Sequence, residues 1–192
     1  MKNLMIDLET MGNSSNAAIV AIGACFFEPS TGEIGAKFSR IISLESSQQF
    51  GRIDASTVLW WMKQSGEARE VLNSPEGVHI KQALHDFRQF TNDGLSQPLV
   101  WGNGSSFDCV ILKNTIIQCL GEQYVPWQFW NERDVRTMVD LGKKLLGFDP
   151  KRDMPFEGVR HDALSDAVHQ AKYVSAIYQR LAEDVREKET NQ

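Results

Sequence analysis

Three short segments of the chain carry the acidic side chains and the histidine that could do chemistry together. Asp7 and Glu9 form the only Asp-x-Glu pair of the sequence, at the end of a short apolar stretch. Asp108 follows a turn-like Trp-Gly-Asn-Gly-Ser-Ser run, and His161 stands five residues before Asp166. Ionised carboxylates in apolar surroundings are costly unless they are paired or bind a metal. Hard oxygen donors of this kind suit Mg²⁺ or Mn²⁺.

Converging carboxylates with a nearby histidine predict phosphodiester hydrolysis. Three or four carboxylates would hold two divalent ions roughly 4 Å apart, where the ions stabilise the attacking and leaving oxygens. A histidine beside them can take the proton of a metal-bound water at neutral pH. Each acidic segment alone also has a structural explanation. Asp7 and Glu9 can emerge at the wet end of a strand, and the helix dipole favours Asp108 in a first helical turn.

Strand periodicity explains how the first acidic pair is displayed. Leu4, Ile6 and Leu8 alternate with Met5, Asp7 and Glu9, so a strand here places both carboxylates on one face. A further strand ends just before the turn that precedes Asp108, and such strand ends are where α/β sites are usually built. The predicted strands are Leu4–Leu8, Ala17–Phe27, Ala36–Leu44 and Pro98–Gly102, with a hairpin at Pro29–Gly32.

Helical periodicity dominates the middle and the end of the chain. Helices are predicted within an insert over about residues 54–92, then at Ser105–Leu120, Val135–Leu146 and Asp162–Glu187. Asp162 is a suitable N-cap, which leaves His161 just outside the last helix and places Asp166 about one turn inside it. The loop over residues 147–160 is expected to be mobile or functional. These elements predict one α/β domain over residues 1–192, with a mixed β-sheet flanked by α-helices.

Composition favours a single globular domain. The chain has 192 residues, of which 42% are hydrophobic and 23% charged. Its three cysteines, Cys25, Cys109 and Cys119, are expected to be reduced, because their number is odd and their surroundings are apolar. No apolar run approaches the roughly 20 residues of a membrane span, so we expect a cytoplasmic protein. The net charge of −5 would repel a polyanion, but bound divalent ions would reverse the local field.

The three segments, in this order and spacing, resemble the exonuclease motifs of the DEDDh group of 3′–5′ exonucleases, a superfamily with a ribonuclease H-like fold. The motifs read Ile6-Asp7-Leu8-Glu9-Thr10-Met11-Gly12, Asn103-Gly104-Ser105-Ser106-Phe107-Asp108 and His161-Asp162-Ala163-Leu164-Ser165-Asp166-Ala167. The resemblance implies that Asp7, Glu9 and Asp166 bind one metal, that Asp7 and Asp108 bind the second, and that His161 is the general base.

The same resemblance implies the substrate-binding residues. The backbone amides of Thr10, Met11 and Gly12 would border the last nucleotide, Glu9 would meet the terminal 3′ hydroxyl, and Asn103 of the second motif joins this set. The segments Trp60-Trp61-Met62-Lys63-Gln64 and Arg133-Asp134-Val135-Arg136-Thr137 look like the phage and bacterial exodeoxyribonuclease VIII-like group, which is similar to RNase AS.

Two tryptophans and several basic residues are candidates for contacts with nucleic acid. Trp60 and Trp61 diverge by about 100° on a helix, so at least one is expected in the core. Either both are structural, or one stacks on a base, for which Trp61 is the candidate. The pairs Lys143-Lys144 and Lys151-Arg152 have acidic neighbours and are interpreted as a solvated mixed-charge surface. Arginine suits phosphate, but Arg133 and Arg136 have acidic neighbours with which they could equally pair, so both stay outside the predicted site.

These observations predict a Mg²⁺- or Mn²⁺-dependent 3′–5′ exonuclease that shortens single-stranded DNA or RNA with a free 3′ end and releases nucleoside 5′-monophosphates. The sequence does not distinguish RNA from DNA, because the contact to a 2′ hydroxyl depends on geometry. A homodimer is plausible, since relatives such as RNase T are dimeric. Two alternatives stay open: a binding or partner-docking module with this fold and little activity, and a phosphohydrolase acting on mononucleotides.

Overall fold

A five-stranded mixed sheet forms the centre of the protein, seen in a computed structural model that describes residues 1–91 and 97–190. Its order is β3-β2-β1-β4-β5, with β1, β2 and β3 antiparallel and with β4 and β5 parallel to β1. The strands are β1 Asn3–Thr10, β2 Ile19–Glu28, β3 Glu33–Ile41, β4 Leu99–Gly102 and β5 Glu132–Asp134. The predicted α/β class with a mixed sheet is confirmed.

Helices cover both faces of this sheet. They are α1 Leu44–Ser47, α2 Ala55–Trp61, α3 Gly66–Arg69, α4 Ile80–Phe90, α5 Asp108–Cys119, α6 Val135–Leu146, α7 Pro150–Asp153 and α8 Ala163–Thr190. Buried residues of α4 and α5 pack against one face, and those of α6 and α8 pack against the other. No helix of the described ranges is both long and apolar enough to cross a membrane.

The alternation predicted for β1 is confirmed. Leu4, Ile6 and Leu8 belong to the core on the α4 and α5 side, whereas Met5 belongs to the core on the α6 and α8 side. Successive side chains of a strand point to opposite faces, so Asp7 and Glu9 lie on the α8 side. Strand β1 therefore places two carboxylates next to the start of α8.

A glycine in β2 allows α8 to begin close to these carboxylates. Gly23 pairs with Asp7 across the sheet. A Cβ atom built at Gly23 would lie 2.1 Å from the carbonyl carbon of Ala163, the first residue of α8. Any side chain at this position would push the helix away from the sheet. Gly23 thus sets how closely His161 and Asp166 approach β1.

The end of the third strand, the start of α5 and the presence of β5 differ from what the sequence predicted. The third strand ends at Ile41 rather than at Leu44, because the Ser43 hydroxyl accepts the N–H of Ser46 and caps α1. Helix α5 begins at Asp108 rather than at Ser105, since Gly104 has a φ of +93° and the chain is still turning there. Strand β5 was not predicted, because its three residues are all polar.

The insert predicted for residues 54–92 contains α2, α3, a 3-10 helix at Glu70–Asn73 and α4, and its predicted end at residue 92 lies outside the described residues. The loop over residues 147–160 contains the short helix α7. The three cysteines are free, as expected, although Cys119 is only partly buried.

Candidate active site

Two carboxylates of the site come from the end of β1. The Asp7 Oδ1 atom accepts a hydrogen bond of 2.7 Å from the Nε2 amide of Gln170 on α8. Glu9 is 8% exposed and precedes a register shift between Glu9 and Thr10 in the pairing with β2. An irregularity of this kind bends a strand and redirects its side chains. The strand end therefore buries both carboxylates, and the hydrogen bond from Gln170 shows that Asp7 points toward α8.

The third carboxylate comes from the first residue of α5. Asp108 is 3% exposed, and its Oδ1 atom accepts the backbone N–H of Leu8 at 3.2 Å. Gly102, the last residue of β4, has no side chain that would push Asp108 away from β4, since a Cβ at Gly102 would lie 3.0 Å from the Asp108 Cβ. The glycine and the hydrogen bond together hold Asp108 beside β1.

The start of α8 supplies the fourth carboxylate and the histidine. Asp162 caps the helix as predicted, because its Oδ2 atom accepts the N–H of Ser165 at 2.8 Å. His161 lies just outside the helix with a φ of +65°, and its N–H donates to Asp166 Oδ2 at 2.9 Å. One ring nitrogen of His161 and one carboxylate oxygen each of Glu9 and Asp166 lie within 4.8 Å of one another.

Burial raises the pKa of every carboxylate in this group, and repulsion from acidic neighbours within the group adds to the shift at Asp7 and Glu9. Burial raises the pKa of Glu9 to about 9, with the charges of Asp166, Asp162 and Asp108 adding to the shift. Burial also raises the pKa of Asp108 to about 7, although backbone N–H donors oppose the shift. The pKa of Asp7 is raised by burial and then by its acidic neighbours, and burial raises that of Asp166.

The donor set fits a hard divalent cation. Within residues 1–91 and 97–190, none of the four carboxylates forms an ion pair with a lysine or arginine. Carboxylates gathered in one place without an ion-pair partner hold protons or bind cations, and Mg²⁺ and Mn²⁺ prefer oxygen ligands. The group that the sequence predicted as metal ligands therefore has the composition and the electrostatics of a metal site.

Two residues of α8 that the sequence analysis missed, Gln170 and Tyr173, lie next to the carboxylates. Gln170 and Tyr173 follow Asp166 at helical spacing, on the side of α8 that faces the sheet. The Gln170 Oε1 and Tyr173 hydroxyl atoms are buried and have no hydrogen-bond partner among the described atoms. The signal available in the sequence was their spacing of four and seven residues from Asp166.

The turn before Asp108 is held by a further residue that was missed. Asp134, at the end of β5, caps α6 by accepting the N–H of Thr137 at 2.8 Å. Its other carboxylate oxygen accepts the N–H of Ser105 at 2.7 Å. One side chain thus ties the second motif to α6. Asn103, in the same turn, has a buried side-chain oxygen without a partner among the described atoms.

The assignment of Trp61 to base stacking is wrong. Trp61 is 2% exposed, packs with Met11 in a small core, and donates its indole N–H to the Thr10 carbonyl at 2.9 Å. The neighbouring Trp60 is 41% exposed, and its ring centroid lies 5.1 Å from that of His161. The divergence of the two rings was predicted, but the accessible ring belongs to Trp60.

A groove of about 370 Å³ runs beside the carboxylates, and its walls include Glu9, Thr10, Gly12, Trp60 and Phe107. Two of the three backbone positions expected to border a nucleotide, Thr10 and Gly12, line it. The third does not fit that role. The side chain of Met11 is buried, and its N–H already donates to the Ala18 carbonyl at 2.8 Å.

The sequence matches one protein family over most of its length. The sequence model of the Rv2179c-like 3′–5′ exoribonuclease domain matches residues 2–178. The chain belongs to this family. It is also 31% identical over 163 residues to an exodeoxyribonuclease of Enterobacteria phage T4, covering 73% of this chain and 71% of the phage protein. The chain is therefore a 3′–5′ exonuclease, and the resemblance to the DEDDh exonucleases is confirmed.

Solved structures show the same fold at low sequence identity. Escherichia coli exonuclease I superposes with a TM-score of 0.69 at 14% identity, covering 96% of this chain. The nuclease domain of 3′hExo, a DEDDh family member, superposes with a TM-score of 0.54 at 16% identity, covering 94% of this chain and 91% of its own. This chain spans only 42% of the exonuclease I chain. The similarity to these two structures confirms the ribonuclease H-like fold.

Proposed function

We propose that the protein hydrolyses single-stranded nucleic acid from its 3′ end and releases nucleoside 5′-monophosphates. The observation that carries this proposal is the convergence of Asp7, Glu9, Asp108 and Asp166 with His161 near the carboxyl end of β1, the central strand of the sheet. These five residues come from β1, α5 and the start of α8, and their types and order are those of the DEDDh motifs that the sequence resembles.

We propose that the four carboxylates bind two divalent cations, Mg²⁺ or Mn²⁺. Asp7, Glu9 and Asp166 would hold one ion, and Asp7 and Asp108 the other. When bound, the ions supply positive charge to the attacking and leaving oxygens of the phosphodiester. The S. pombe Pop2p structure, which superposes with a TM-score of 0.59 at 11% identity, is a form with Mg²⁺ and Mn²⁺ bound. Gln170 would keep Asp7 oriented through its 2.7 Å hydrogen bond.

We propose that His161 is the general base. Its ring nitrogen faces the oxygens of Glu9 and Asp166, and an imidazole accepts a proton near neutral pH. Because hard cations are satisfied by the carboxylates, the imidazole stays available to accept the proton of the attacking water. Asp166 accepts the His161 N–H, and this hydrogen bond holds the loop residue in place beside the site.

The groove beside Glu9 would receive the 3′-terminal nucleoside, with the exposed face of Trp60 stacking on a base. Stacking on an aromatic ring is tolerant of sequence and is worth about 1–3 kcal/mol per base. The exonuclease I structure contains a dT13 oligonucleotide, and the 3′hExo structure contains rAMP. Both strand chemistries therefore belong in the test.

The test uses 5′-labelled single-stranded RNA and DNA of one sequence, incubated with Mg²⁺, Mn²⁺ or a chelator. Wild-type protein should give a metal-dependent ladder that shortens from the 3′ end, with mononucleotide 5′-phosphates as products. Asp7→Asn should abolish the ladder, whereas Asp140→Asn, at an exposed position of α6 paired with Lys144, should retain it. Protection of the 3′ end without shortening would instead support a binding module. Release of phosphate from mononucleotides alone would support the phosphohydrolase.

A further inference from the structure

The Arg133-Asp134-Val135-Arg136-Thr137 segment contains two arginines that the structure treats differently. Arg133 donates to the backbone carbonyls of Trp130 and Glu132 at 2.9 and 3.0 Å, so it is held within its own turn. Arg136, near the start of α6, is exposed and forms no hydrogen bond or ion pair within the described residues. Of these two arginines, Arg136 is the one that keeps its planar donor group available.

Arg136 lies directly beside the turn that carries Asp108. A Cβ built at Gly104 would lie 3.0 Å from the Arg136 guanidinium carbon, so the arginine rests against bare backbone. It is also close enough for its charge to favour the ionised form of Asp108 and lower the pKa of that carboxyl, against the larger effect of burial. The guanidinium thus stands at the border of the carboxylate group, beside the turn that follows β4.

A second cation, Lys151 of α7, lies near the same face of α6 as Arg136, because Asp149, two residues before it, pairs with Lys143, which follows Arg136 by seven residues. Burial lowers the pKa of Lys151, the charges of Arg136 and Lys143 lower it further, and the charge of Asp149 opposes the shift. Lys143 is paired with Asp149 at 2.9 Å, whereas Lys151 has no ion pair among residues 1–91 and 97–190. Neighbouring Lys144 and Arg152 are paired with their own aspartates. The positive charge in excess therefore lies on Arg136 and Lys151.

We propose that Arg136 and Lys151 bind a backbone phosphate of the substrate strand, on the 5′ side of the phosphate that is cleaved. This assignment rests on the proposed function, in which the 3′-terminal nucleoside occupies the groove at Trp60, and it adds that the strand leaves the site past Asp108. An arginine fork matches phosphate oxygens, and a lysine adds a point charge. The pair gives an acidic protein a local basic surface where a polyanion must pass.

Two substrates separate this role from a role at the carboxylates. A single-stranded oligonucleotide has the additional phosphate, whereas the p-nitrophenyl ester of thymidine 5′-monophosphate contains only the phosphate that is cleaved. We expect Arg136→Gln to lower kcat/KM for the oligonucleotide about tenfold more than for the ester, as removal of a charge-assisted hydrogen bond implies. Lys151→Gln should act in the same direction. Lys144→Gln, with a side chain 71% exposed, is the matched control and should behave as wild type.

Salt dependence gives an independent readout. Removing one cation that binds a phosphate of a single strand should reduce the slope of log affinity against log salt by about 0.7. Arg136→Lys, which keeps the charge but lacks the fork, should retain that slope while binding more weakly. Thermal unfolding of each variant checks that the chain is folded.

Equal losses of activity toward both substrates in Arg136→Gln would place the arginine at the carboxylate site and overturn the proposal. Unchanged kinetics for both substrates would overturn it as well. If wild-type protein cleaves neither substrate, the proposed function fails. Fluorescence anisotropy of a labelled oligonucleotide then still tests the pair, because the Arg136→Gln and Lys151→Gln double variant should bind with a smaller salt slope than wild type.

Discussion

Replacing Glu9 by glutamine should stabilise the metal-free protein while removing its activity. The carboxyl of Glu9 is 8% exposed and shares its site with Asp7, Asp108 and Asp166. Burial raises its pKa to about 9 from an ordinary value of 4.5. At neutral pH the folded state therefore keeps Glu9 protonated, whereas the unfolded chain ionises it freely. Glutamine fills the same volume and has no such penalty.

The magnitude of the stabilisation follows from the pKa difference. The Glu9 carboxyl has a pKa of 4.5 in the unfolded chain, so pH 7 lies 2.5 units above that pKa. At about 1.4 kcal/mol per unit, keeping Glu9 protonated in the folded state costs about 3 kcal/mol. At pH 5 the same cost is below about 1 kcal/mol. A raised folded-state pKa means that stability is complete below pH 4.5 and falls as the pH rises toward 9. For a chain of this size, about 3 kcal/mol corresponds to a Tm difference of roughly 6–12 °C.

Thermal unfolding followed by circular dichroism measures this effect directly. In chelator, Glu9→Gln should melt well above wild type at pH 7 to 8 and close to wild type at pH 5. Adding Mg²⁺ should raise the Tm of wild type more at pH 8 than at pH 5, because the cation binds the ionised carboxylates. A Tm difference that does not grow with pH would refute the reasoning, since a packing effect of the substitution is independent of pH.

Four further substitutions test separate parts of the site. His161→Ala should lower kcat by about 10²–10⁴-fold, the usual contribution of a positioned base; a decrease below about tenfold in the cleavage assay would contradict that role. Trp60→Ala should raise the KM for oligonucleotides about tenfold at unchanged Tm, whereas Trp61→Ala should lower the Tm because it empties a core position; the reverse pattern would restore stacking to Trp61. Asp134→Ala removes the cap of α6 and the hydrogen bond from the Ser105 N–H, so we expect the free energy of unfolding to fall by about 1 kcal/mol. Because the bond to Ser105 holds the turn before Asp108, kcat should also fall at unchanged KM. An unchanged kcat would show that this bond does not position Asp108.

The parts of the fold that depend on local periodicity could be predicted from the sequence. Alternation in β1 placed Asp7 and Glu9 on one face, and the cap at Asp162 placed His161 outside α8. Both are short-range effects of backbone geometry, so neighbouring residues suffice to reveal them. The boundary errors at α1 and α5 arose where a serine cap or a positive φ, rather than the hydrophobic pattern, set the helix start.

Residues brought together from distant segments required the tertiary structure. Whether Trp60 or Trp61 is accessible to a base depends on which side of α2 faces the core. The hydrogen bond from the Trp61 indole N–H to the Thr10 carbonyl holds Trp61 on the buried side. Arg133 and Arg136 have similar sequence neighbours, and they differ in whether nearby carbonyls occupy their donors.

The sequence by itself determined the chemical types of the site and the short elements that display them. Only the tertiary structure decided how closely those elements meet. Gly23 is the clearest case, because its missing side chain lets α8 begin against β2 and so brings Asp166 to Asp7. Nothing near Gly23 in the sequence indicates this, since the atoms that a Cβ would strike belong to Ala163, 140 residues later. Close packing between distant segments is set by the shape of both partners, and one segment alone does not contain that information.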